Sequence, residues 1–76
     1  MGSEKLVNDI VVGEKYKLIH AGKGTAIVRV LEIDGEWIDV EVLQGRLQGI
    51  GAGSLVEVGD YDRVRDSHAT FLPLRD

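Results

Sequence analysis

The strongest periodicity in the chain lies between Thr25 and Leu43, where apolar and polar positions alternate on both sides of an Asp-Gly pair. Ala26, Val28 and Val30 fall on one side of the first run; Ile38, Val40 and Val42 fall on one side of the second, opposite Trp37, Asp39 and Glu41. Because successive side chains of a strand point to opposite faces, a period of two predicts two half-buried strands. The intervening Asp34-Gly35 predicts a two-residue type I′ hairpin turn with positive φ at Gly35. Tyr16 to His20 carries aromatic and β-branched residues and reads as an earlier strand, and Ala21-Gly22-Lys23-Gly24 after it suits a tight reversal.

Downstream the pattern is shorter. Gln44 to Gly53 holds four of the ten glycines and reads as a loop or a bulged strand end. Ser54 to Val58 alternates again, adding Leu55 or Val56 and Val58 to the predicted core of Val28, Val30, Ile38, Val40 and Val42. Gly59-Asp60-Tyr61-Asp62 predicts a single helical turn before Arg63-Val64-Arg65. The tail from Ala69 to Leu74 is apolar enough to dock, and Pro73 confines it to an edge or an extended segment. Without a sustained helical period or an internal repeat, the class is all-β. Five or so short strands favour a small five-stranded barrel with Gly-rich loops, since an open sheet leaves edges free. Residues 1–9 read as a flexible N-terminus and 10–76 as one domain with a C-terminal tail.

Composition narrows the function. Seventy-six residues supply one core. The absence of cysteine excludes disulfides and thiolate zinc sites, so stability must come from packing, helped by self-association. Neither a long apolar run nor a basic-then-apolar leader is present, which predicts no membrane span, no secretory signal and a cytoplasmic location. The net charge of −4, with 13 acidic and 9 basic residues and no Lys/Arg run, disfavours duplex nucleic acid. Lys15, Lys17, Lys23 and Arg29 fall within one short region and are either a local basic cluster or solvated strand and turn charges.

The order of strand, Gly-rich turn, long hairpin, Gly-rich connection, strand, short turn and strand over residues 10–66 resembles SH3-like barrels of the Tudor, KOW and bacterial accessory types. Gly53-Ser54-Leu55-Val56-Glu57-Val58-Gly59-Asp60-Tyr61-Asp62-Arg63-Val64 looks like the strand, one-turn helix and strand that end those barrels. The resemblance implies binding. In its Tudor form it implies an aromatic cage for a methylated cation, for which Trp37, Tyr16 and Tyr61 with Asp39 or Asp62 are the available residues. The type II dihydrofolate reductases are similar in length and element order. They carry Val-Gln-Ile-Tyr after their Gly-Ser, where this chain has Leu55-Val56-Glu57-Val58 after Gly53-Ser54. Their pore chemistry is therefore not carried over, and what the likeness implies is assembly.

A search of the residues for chemistry yields no predicted catalytic, cofactor or metal site. Asp66, Ser67 and His68 are adjacent in one loop and cannot adopt a relay geometry. A metal held by His20 and His68 requires distant segments to converge, and neither glycine cluster is a Walker loop. Trp37 falls on the polar face of its strand, either as an exposed anchor, covered by the tail around Phe71 to Leu74, or packed at the barrel end. The expected partner-binding residues are Trp37, Tyr61, Phe71, Leu72 and Leu74. The expected function is a non-enzymatic protein-interaction or accessory module, of phage or mobile-element type, whose partners include other copies of itself in a homo-oligomer. The alternatives are a nucleic-acid-associated barrel using Lys15, Lys17, Lys23 and Arg29, and small-ligand binding in an oligomer pore.

Overall fold

The computed structural model describes residues 10–74, and antiparallel strands account for most of them. In chain order these are β1 (Lys15–His20), β2 (Gly24–Asp34), β3 (Trp37–Gly45), β4 (Leu47–Gln48), β5 (Leu55–Val56), β6 (Tyr61–Arg65) and β7 (Ala69–Pro73), with a 3-10 turn at Asp66–His68 between the last two. The five long strands form one sheet in the order β6-β3-β2-β1-β7, and β4 and β5 form a separate two-stranded ribbon. The sequence-predicted flexible segment 1–9 lies outside the described residues.

The period of two places one face of this sheet inside. Tyr16 and Leu18 of β1, Ala26, Val28 and Val30 of β2, Ile38, Val40 and Val42 of β3, Val64 of β6, and Ala69 and Phe71 of β7 are all buried. Val28 stands opposite Val42 and Val30 opposite Val40, so the core is a set of cross-strand pairs. Each fully buried aliphatic side chain stabilises the fold by about 1.5–3 kcal/mol relative to exposure. Leu47 and Ile10 complete the core from outside the main sheet. The segment leading to Ile10's neighbours is pinned: the Val11 N–H donates to the Tyr16 hydroxyl at 2.8 Å and the Gly13 N–H to the Val30 carbonyl at 2.7 Å.

Register shifts at Ile27/Val28 and Val30/Glu32 curl β2. The 3-10 turn ties both of its ends together: the Asp66 N–H donates to the Glu36 carbonyl at 2.8 Å, and the Ala21 N–H to the His68 carbonyl at 3.2 Å. The sheet nonetheless stays open. β6 and β7 are its two edges and no ladder joins them, so the closed barrel expected from the sequence is not what forms. Both edges lack a donor. On β6 the Arg63 N–H donates to Asp62 Oδ1 at 2.8 Å, and on β7 Pro73 has no N–H.

Three sequence expectations are corrected. The β2–β3 turn consists of Gly35-Glu36, since Asp34 pairs with Trp37; Gly35 has φ +61° and Glu36 a negative φ, the order of a type II′ turn. Of Leu55 or Val56 it is Val56 that packs, partly buried, against the core, but Val58 is 62% exposed, because β5 ends at Val56 and a turn closed by the Asp60 N–H on the Glu57 carbonyl swings Val58 outward. The helical turn falls at Asp66–His68, while residues 61–65 are strand because Asp62 and Val64 continue the inward alternation opposite Val40 and Ile38. The tail, expected at an edge or as an extended segment, is the edge strand β7, paired with β1 from Tyr16↔Pro73 to His20↔Ala69.

Candidate functional site

On the outer face of β2, β3 and β6, register sets side chains in rows. Glu32, Asp39 and Arg63 form one row, and Asp34, Trp37 and Arg65 the next. Arg29, Glu41 and Tyr61 form a third on the other side of Asp39, with Leu31 beside it at the β2 register shift. A shallow groove of about 620 Å³ runs among Leu31, Glu32, Asp39, Glu41, Tyr61 and Arg63. Tyr61 is 68% exposed and Leu31 is also exposed. Arg63 holds Asp39 bidentately, Nε to Oδ1 at 2.7 Å and Nη2 to Oδ2 at 3.3 Å. That hydrogen bond holds the Asp39 carboxyl below the usual carboxylate range, outweighing the opposing effect of partial burial. Glu32 and Glu41 have no ion-pair partner among the described residues.

At the end of the sheet, the turn between β1 and β2 meets β6 and the 3-10 turn. Lys23 Nζ lies 3.2 Å from Asp62 Oδ2 and donates to the Gln48 carbonyl at 3.1 Å, with most of both charged side chains buried. The lysine–aspartate contact is an ion pair without hydrogen-bond alignment, since Asp62 Oδ2 has no hydrogen-bond partner. The His20 and His68 rings stand edge to face with centroids 6.0 Å apart. Their segments therefore do converge. Among the described residues, however, no group of three His, Asp or Glu side chains is placed to hold a metal ion.

The sequence-predicted site residues separate into distinct places. Trp37 is on the outer face and half-buried under Arg65, whose guanidinium carbon sits 4.6 Å from the ring centroid; Arg65, and not the tail, covers it. Tyr61 shares that outer face. Phe71 belongs to the core, edge-on to Tyr16 at 6.0 Å, so it is not available as a contact residue. Leu72 and Leu74 are exposed at the β7 edge, away from Trp37 and Tyr61. Tyr16 lies on the inner face, so Trp37, Tyr16 and Tyr61 cannot make one cage. Lys15, Lys17 and Arg29 share the outer face of β1 and β2, where Arg29 Nη1 donates to the Gly13 carbonyl at 2.8 Å; Lys23 is diverted to Asp62.

Sequence reasoning missed Leu31, Glu32, Arg63 and Arg65 as site residues. The available signal was the period of two in residues 61–65, which puts both arginines on one face with Tyr61. No helix among the described residues is long and apolar enough to cross a membrane. No family model, curated protein or solved structure matches this chain.

Proposed function

We propose that this chain is a non-catalytic protein-interaction module on an SH3-like strand arrangement, and that it takes a basic segment of a protein partner on the outer face of β2, β3 and β6. The observation that carries this reading is Tyr61, a large side chain left 68% exposed beside Leu31 above the carboxylates of Glu32, Asp39 and Glu41. An exposed tyrosine supplies apolar area and a polar tip at small entropic cost, which is why tyrosine is enriched at interface centres. Asp39 is taken by Arg63, but Glu32 and Glu41, which have no ion-pair partner among the described residues, favour a cationic partner by steering and by charge complementarity. The SH3-like part of the reading is supported by the meander β1-β2-β3-β6 and by the 3-10 turn that leads into β7 beside β1.

A second copy of the chain is the partner favoured by one further observation. The other half of the same sheet face carries Lys15, Lys17 and Arg29, with Leu72 opposite Lys17. Acidic and basic halves of one face suit head-to-tail contact between copies.

Titration of the isotope-labelled protein with a hepta-lysine peptide tests the first reading. Amide shifts should move and saturate at Leu31, Glu41 and Tyr61, and Tyr61→Ala should abolish the response while leaving the remaining spectrum unchanged. Equal response to a hepta-glutamate peptide, or none to either, refutes it. Sedimentation tests the second: a species heavier than monomer at low salt should dissociate near 1 M salt, where the screening length is about 3 Å.

A further inference from the structure

We propose that the groove between β6, the β1–β2 turn and the 3-10 turn binds a small oxyanion-bearing ligand, a phosphate or carboxylate compound, at a site that adjoins the outer-face groove and shares Arg63 with it. The groove, of about 390 Å³, is lined by His20, Lys23, Arg63, Arg65 and His68, with Trp37 as its aromatic wall. Every titratable side chain on that lining is basic, in a chain where acidic residues outnumber basic ones 13 to 9. Strands and turns far apart in sequence thus concentrate cationic and imidazole groups on one concavity while the carboxylates are placed outside it.

Those carboxylates fix the donors from behind. Asp62 holds Lys23, Asp39 holds Arg63, and Glu36 lies 3.9 Å from Arg65, whose guanidinium also rests on Trp37. A guanidinium has five N–H donors and an ammonium three, so a single carboxylate leaves donors for a ligand while restricting their positions. His20 is oriented in the same way. Its Nδ1 accepts the Gly22 N–H at 3.0 Å, so the neutral ring carries its proton on Nε2 and remains a donor.

The imidazole pair adds a linkage to pH. Burial, then the charges of Lys23 and of His68, lowers the pKa of His20 below its usual 6.5, while Asp62 opposes them. A bound anion relieves the cationic part of that penalty. The ligand should therefore bind more tightly as His20 takes up its proton, and its binding should raise the His20 pKa. The size of the groove, near the lower end of small-molecule sites at roughly 300–1,000 Å³, suits a small organic anion with one flat or apolar part against Trp37.

The test is a pH titration of the His20 and His68 ring resonances in the full chain, in inorganic phosphate, in acetate, and in chloride at matched ionic strength. A ligand that prefers the protonated rings tenfold moves their pKa up by about one unit. An upward shift in phosphate beyond that in chloride, with a simultaneous change at the Trp37 indole N–H, supports the site. Response to phosphate alone assigns it to phosphate compounds, and response to both probes extends it to carboxylates. Arg65→Gln, on the exposed side of the groove, should weaken the response at least several-fold with the fold intact by its amide spectrum. His68→Gln should do the same, read at His20. Identical titrations in phosphate and chloride, or a phosphate response unchanged in both variants, overturns the proposal.

Discussion

Phe71→Ala separates two roles for the C-terminal segment, as a core strand or as a surface for a partner. Phe71 is 6% exposed and meets Tyr16 edge-on at 6.0 Å. Deleting a buried phenylalanine costs about 3–5 kcal/mol, of which the aromatic pair accounts for roughly 0.5–1.5. A domain of this length has a total stability of about 4–11 kcal/mol, so about a quarter or more of it is lost. The assay is urea unfolding followed by the fluorescence of Trp37, the single tryptophan, with the midpoint lowered and the slope m unchanged. The corresponding fall in Tm is more than about 12 °C, since 1 kcal/mol shifts a domain of this size by roughly 4–8 °C. Leu72→Ala is the control on the same strand. Leu72 is 41% exposed on the opposite face, and its loss should cost under about 1 kcal/mol. Equal, small losses at both positions would refute the placement of Phe71 in the core.

Other outcomes follow from single features. Gly35→Val should destabilise by roughly 1–2 kcal/mol by thermal melting, through backbone conformation alone, because φ is +61° there and a Cβ would meet nothing within 4 Å. Lys23→Met leaves Asp62 without its ion-pair partner and should cost about 1–3 kcal/mol in the same assay, part of which Asp62→Asn restores in the double variant. Stability should fall in two stages on acidification. His20 has a folded pKa lowered from 6.5, so its contribution is complete above that value and declines below it; Asp39, lowered from 3.8, contributes above that value and is lost on further acidification. His20→Gln should remove the first stage and Asp39→Asn the second, read as Tm against pH.

The central hairpin was legible because its information is local. Val28, Val30, Ile38, Val40 and Val42 follow a strict period of two, and all five are buried. Leu47 was not, since it is one apolar residue among glycines, and its burial depends on the Gln48 N–H reaching the Lys23 carbonyl at 2.9 Å. The turn at Gly35 carried the expected positive φ, but only the pairing of Asp34 with Trp37 decides which residues form the loop. Of the candidate sites, Trp37 was legible as an outer-face aromatic from alternation, whereas Tyr61 was expected in a helical turn and reaches that face only as the first residue of β6. Their neighbours were not, because Asp39 meets Arg63 and Trp37 meets Arg65 only once β6 pairs with β3 in a particular register. The same applies to His20 and His68, which lie 48 positions apart in sequence and meet through the β1–β7 pairing.

The donors missing from both sheet edges bear on how this chain can aggregate. A bare strand edge is a template on which another backbone can grow, the route to domain-swapped polymers and cross-β fibrils. Here the Arg63 N–H is occupied by the neighbouring Asp62 carboxylate, and Pro73 ends the opposite edge strand without a donor. Fibre growth through main-chain ladders is thereby obstructed from either side, even where copies crowd together. Recognition between molecules is left to the side chains of the sheet faces, where single substitutions can alter it without exposing the backbone.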